Sequence, residues 1–253
     1  MIKKRILPIA SAVAFALMVA VNVLAQTTGV TTAMVSNSLP TLLTPSGITF
    51  SVWIIIYGLL LIYTVSMLMN GVDKTGGLYL ITCMLNIFWI IAWRYKLIFI
   101  AMVVIFVLWM ALYLINMKLK DDNSLAKITF AIYYAWITIA SIVSLFAYVT
   151  YAGGGVYDTT IIRISAVLSL VVLAILIYFN RNNMPYLLVM IWSLVGIISK
   201  NVSSFNGRYK EIILTSVILT TISLTMIFIY LVNRQKGWIE EWNIIIVNYV
   251  EMF

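Results

Sequence analysis

Residues 97–117, LIFIAMVVIFVLWMALYLINM, contain no charge, no proline and no glycine. A hydrocarbon core about 30 Å thick takes about 20 apolar residues of helix to cross, and this run supplies them without interruption. It reads as a transmembrane helix. Seven more segments of the same character flank it: Ile6–Ala25, Ile48–Met69 and Gly76–Trp93 before it, and Ala126–Tyr151, Ile161–Phe179, Pro185–Ser199 and Ile212–Val232 after it. Pro185–Ser199 is short, which leaves open a span with little tilt or a partly re-entrant segment. The composition of the 253 residues agrees, with 64% apolar and 9% charged side chains and a mean hydropathy of +1.08. A soluble domain needs more charge to cover its surface. The chain is therefore expected to be an all-α integral membrane protein with about eight transmembrane helices.

The residue inventory narrows the chemistry. There is no histidine, which excludes His-ligated haem, His-type zinc sites and a Ser-His catalytic pair. Cys83 is the only cysteine, so no intrachain disulfide can form. No cofactor is expected. The net charge of +8 is spread between apolar segments rather than clustered on one face, so nucleic acid is not an expected partner. The expected surroundings are a lipid bilayer.

Lysine and arginine placement sets an orientation. With the N-terminus inside, Lys3, Lys4, Arg5, Lys74, Lys118, Lys120, Lys127, Arg181, Arg234 and Lys236 face the cytoplasm, against Arg94, Lys96, Arg163, Lys200, Arg208 and Lys210 outside. Both termini are then cytoplasmic, and the plasma membrane is the expected location. The first segment has a second reading. Lys3-Lys4-Arg5, an apolar stretch and Val23-Leu24-Ala25 resemble a cleavable secretory signal, although the run is nearly long enough to span, and retention as a helix is favoured.

Gln26–Ser46 is the longest non-helical loop expected. It holds no charge, six threonines, three serines, Pro40 and Pro45. It reads either as a lid folded over the helix ends, since irregular backbone at depth needs protein or water beside it, or as a flexible outside loop. The tail Gly237–Phe253 places Trp238, Trp242, Ile245, Tyr249 and Phe253 at helical spacing, which suits an interfacial helix. Asn201-Val202-Ser203 forms a glycosylation sequon beside a span end, read as a chance match. Arg163 reads as an interface anchor.

All eight acidic residues lie in loops or at span ends. Ion-coupled transport and acid–base catalysis usually keep ionisable groups at membrane depth, so both are disfavoured. Three spans do carry aromatic and polar residues on one helical face each. They are Phe50, Trp53 and Tyr57 on the second; Thr82, Asn86, Trp89 and Trp93 on the third; Tyr133, Trp136, Ala140 and Ser144 on the fifth. If these faces converge, they line an aromatic cavity suited to flat ligands. Taken alone, the stripes read more readily as packing surfaces, with Asn86 as interhelical glue and Ala140 allowing close approach.

A family resemblance shifts that balance. Pro45 followed by Trp53-Ile54-Ile55-Ile56-Tyr57 resembles the second-helix signature of the translocator protein or tryptophan-rich sensory protein family (TspO/MBR). Leu85-Asn86-Ile87-Phe88-Trp89 resembles its Leu-Asn-x-x-Trp, and Tyr133–Ala140 its fifth-helix Tyr-x-x-Trp-x-x-x-Ala. The chain departs from the family at Thr44, Gly47, Ser51, Ile132 and Ser144. Short members end after five helices. The resemblance thus implies a five-helix translocator-like bundle over residues 1–151, three additional helices over 152–236, as in an extended subgroup that repeats a Trp and Gly resembling Trp192 and Gly196, and the amphipathic tail 237–253.

The resemblance also implies binding of a porphyrin or sterol-like hydrophobic ligand. Trp53, Tyr57, Asn86, Trp89, Trp136 and Ala140 would line the pocket, with Asn86 offering a hydrogen bond and the first loop covering it. The expected function is that of a membrane receptor or translocator acting in sensing or transport rather than turnover. An uncoupled facilitator or permease subunit is the alternative. A porphyrin-degrading enzyme, an activity attributed to the family, or a structural subunit is less favoured. Small-residue helix faces allow a homodimer.

Overall fold

A computed structural model describes the backbone of residues 2–250 and the side chains of residues 6–235. The amphipathic pattern of the tail Gly237–Phe253 lies outside the described residues. The elements are α1 (Ile2–Thr27), α2 (Thr32–Ser38), a short 3-10 helix (Gly47–Ser51), α3 (Val52–Asn70), α4 (Leu78–Arg94), α5 (Ile98–Lys118), α6 (Leu125–Ala152), α7 (Thr160–Phe179), α8 (Met184–Phe205) and α9 (Lys210–Val250). No strand occurs among the described residues. Seven helical stretches are long and apolar enough to cross a membrane, and α4, with 17 residues, is a shorter apolar helix beside them. The protein is an all-α, multi-pass integral membrane protein.

Polar side chains cap the starts of α2, α7 and α8. The Thr31 hydroxyl accepts from the Met34 amide at 3.2 Å and starts α2. Thr159 and Asn183 start α7 and α8 in the same way, with Pro185 in the first turn of α8. Such side-chain oxygens satisfy amides that have no partner within the helix. At the far end of α3, Gly71 adopts φ 66°, a left-handed cap that glycine takes without a Cβ penalty.

Helix α6 is the axis of the bundle. Of its most apolar stretch 72% is buried, against 22–44% for the other six long spans. A helix apolar all round belongs inside, and α6 is surrounded by α3, α5 and α8. Helix α1 packs on α3 and α4, α5 on α4, α9 on α8, and α7 on α9. One hydrophobic core runs through residues of all these helices. The outer faces remain apolar, with Ile54, Ile62, Phe99, Ile100, Val171 and Val172 exposed, as suits hydrocarbon rather than water as solvent.

Two segments differ from the sequence expectation. The Pro185–Ser199 segment is longer than expected: α8 continues to Phe205 and has 22 residues, long and apolar enough to cross a membrane. Lys200 and Asn201 do not end it because Asn201 is fully buried and donates to the Leu42 carbonyl at 3.0 Å. That burial also removes Asn201 as a glycosylation acceptor. The Gln26–Ser46 loop is not wholly irregular either, since α2 forms within it, and its Leu42 and Leu43 are buried in the core. At the start of α7, Arg163 pairs with Glu211, its Nε 2.9 Å from Oε1.

Candidate functional site

The aromatic faces of α3, α4 and α6 meet at one cavity of about 620 Å³, within the usual range for small-molecule sites of about 300–1,000 Å³. Trp53, Tyr57, Trp89, Trp136 and Ala140 all line it, and so do Phe50, Trp93 and Ser144 from the same helical stripes. Their helical spacing is what brings them to one side. Trp53 stacks on Tyr57 with ring centroids 5.3 Å apart and meets Trp136 edge-on at 6.3 Å. Phe50 meets Trp136 edge-on at 5.4 Å, and Trp89 stacks on Trp93 at 6.1 Å. The rings contact one another at distances typical of favourable aromatic pairs.

Asn86 sits one layer behind the wall. It is fully buried and is not among the lining residues. Its Oδ1 accepts from Asn22 Nδ2 at 2.8 Å, and its Nδ2 donates to the Tyr133 hydroxyl at 3.0 Å. The amide therefore fixes α1, α4 and α6 to one another. The polar group that reaches the cavity at this point is Asn22, which also donates to the Met18 carbonyl at 2.8 Å. Sequence reasoning passed over Asn22, although an amide this deep in an otherwise apolar helix is a visible signal.

The connection between α1 and α3 covers the cavity and supplies Thr32, Ala33, Ser36, Asn37, Thr44, Pro45 and Gly47 to its lining. Several bonds hold this cover down. The Trp93 indole N–H donates to the Thr32 carbonyl at 3.2 Å, and the Thr150 hydroxyl to the Pro40 carbonyl at 3.2 Å. Arg94 caps the end of α1 through the carbonyls of Leu24 and Thr28. The remaining attachments come from α8: Asn201 to Leu42, Trp192 to the Thr49 carbonyl at 3.0 Å, and the Ser46 amide to the Gly196 carbonyl at 3.0 Å. Only a glycine fits at 196, because a Cβ there would overlap Thr49 and lie 2.9 Å from the Pro45 Cβ.

The chemistry of the lining is aromatic and amide, with one amine from Lys200. The indole N–H groups of Trp89 and Trp136 are buried and lack an acceptor. Unpaired buried donors are uncommon in folded proteins, and two of them belong to rings of this one wall. Among the described residues, no group of three His, Cys, Asp or Glu side chains could hold a metal ion.

No curated protein and no solved structure gives a significant match. A family model described as TSPO-like protein matches residues 8–232, from the start of α1 through the membrane-spanning part of α9. The chain belongs to the TSPO-like family.

Proposed function

We propose that this membrane protein is a receptor or translocator for a flat hydrophobic ligand of the porphyrin or sterol class, held in the covered aromatic cavity. The observation that carries the reading is the convergence of Trp53, Tyr57, Trp89 and Trp136 on one cavity of about 620 Å³. Ring faces supply broad apolar contact, and the amides of Asn22, Gln26 and Asn37 at the same cavity orient polar edges. A lining of this kind suits holding and releasing a ligand more than transforming it, so the role is sensing or facilitated handling without turnover. We place it in the plasma membrane with both termini cytoplasmic; the excess of lysine and arginine in the sequence between spans on one side supports that orientation.

The test is a titration of the purified protein in detergent with protoporphyrin IX, read by tryptophan quenching, followed by competition with a sterol. Saturable quenching in the micromolar range, equivalent to about −8 kcal/mol, supports the reading. Quenching that stays linear with porphyrin and is insensitive to competitor contradicts it.

A further inference from the structure

Lys200 is the one charged side chain among the described residues that line the cavity, and no carboxylate lines it. Of the other cations near this end of the bundle, Lys96 and Lys210 do not line the cavity, and three are engaged. Arg94 is held by backbone carbonyls, Arg163 by Glu211, and Arg208 lies 3.6 Å from Asp158. Lys200 makes no ion pair among the described residues.

The backbone that carries it is fixed on both sides. One turn before it, Gly196 packs against Thr49 and Pro45; immediately after it, Asn201 donates to the Leu42 carbonyl. The contacts that hold the cover in place therefore also set the backbone position from which the Lys200 side chain reaches the cavity. An ammonium beside aromatic walls, with no acid to pair with, is a partner for an anion, because a charge-assisted contact replaces hydration lost on entering the cavity.

We propose that the ligand is a flat hydrophobic acid, with Lys200 holding its anionic edge while its apolar body lies among Trp53, Trp89 and Trp136. This inference rests on the binding function proposed above and narrows it, since it favours acids over neutral molecules of the same shape, sterols included. Because Lys200 is only partly buried, salt screens the contact, and the preference for acids shrinks as ionic strength rises.

The experiment compares protoporphyrin IX with its uncharged dimethyl ester, titrated into the full-length protein in a non-ionic detergent. Wild type, Lys200→Gln and Lys200→Arg are measured at low and high salt. The expected result is about tenfold tighter binding of the acid by wild type, equal to about 1.4 kcal/mol, weakening with salt. Lys200→Gln should bring acid and ester within about twofold, and Lys200→Arg should keep most of the preference. Equal, saturable binding of acid and ester by wild type overturns the role of Lys200 and leaves the cavity's binding function standing. The same holds if Lys200→Gln keeps the full preference. Saturable binding of neither probe overturns both.

Discussion

The indole N–H of Trp192 donates to the carbonyl of Thr49 at 3.0 Å, joining α8 to the 3-10 helix that leads into α3. One helical turn later, the Gly196 carbonyl accepts from the Ser46 amide at 3.0 Å. Helix α8 is thus bonded along the segment that covers the aromatic cavity. Its role in the fold follows: it is the surface on which the cover is seated.

Gly196→Ala should disturb that seat. The new methyl would meet Thr49 and the rigid ring of Pro45, and overpacking of this kind costs about 1–3 kcal/mol. Trp192→Phe removes a hydrogen bond, about 0.5–1.5 kcal/mol, and part of a ring that is already 41% exposed. Unfolding in detergent should therefore rank Gly196→Ala below Trp192→Phe, with ligand affinity falling in the same order. A fully stable Gly196→Ala protein with unchanged affinity would show that the cover does not depend on this contact.

Asn86 and Ala140 should fail in different ways. Asn86→Ala leaves the Tyr133 hydroxyl and one bond of Asn22 without their buried partner, a loss of about 1–3 kcal/mol of stability. Ala140→Phe puts a ring into the cavity itself and should remove binding with little change in unfolding. A double-mutant cycle between Asn22 and Asn86 should show coupling of about 0.5–3 kcal/mol. Additive single effects would mean that the amide pair does not act as a unit.

Acid sensitivity should come from two carboxylates outside the spans. The hydrogen bond from Lys74, with those from Ser124, holds Asp122 down at about 2. Burial pushes Asp73 up, but bonds from Thr75, Tyr63 and Gly77 outweigh it and keep its carboxyl below the ordinary value. An unfolded aspartate titrates near about 3.9. A group depressed on folding contributes stability above that value and loses it as pH falls through the folded one. Stability should therefore be level between about pH 5 and 8, where a chain without histidine has no ordinary side-chain switch, and decline from about pH 4 toward 2. Asp73→Asn and Asp122→Asn should each flatten that decline. An acid limb unchanged in the double variant would place its origin elsewhere.

Much of the site is written in local spacing. Trp53 and Tyr57, Trp89, and Trp136 and Ala140 each fall on one face of a span, and that periodicity survives in any packing of the helices. What is absent from the local signal is the pairing between distant elements. Asn86, taken from its own span, suits interhelical glue, as the structure shows, and only the family resemblance makes it a ligand contact; nothing local reveals that its partner is Asn22 on another helix. Lys200 and Asn201 read as a helix end because their partners, the cavity and Leu42, lie far away in the chain. The true end of α8 was legible, since Asn206 and Gly207 take φ 50° and 68°, and Asn-Gly is a common left-handed stop. Helix α2 was also marked by its Thr31 cap, within a stretch otherwise rich in threonine, serine and proline.

The central claim is that a ligand occupies the space beside Ala140, between Trp53, Trp89 and Trp136. The most direct measurement is a protoporphyrin IX titration of wild type, Trp136→Phe and Ala140→Phe in one detergent, with unfolding checked for each. The account predicts saturable binding by wild type, weaker binding by Trp136→Phe and at least tenfold loss in Ala140→Phe with its fold intact. Identical titration curves for wild type and a folded Ala140→Phe protein would contradict it.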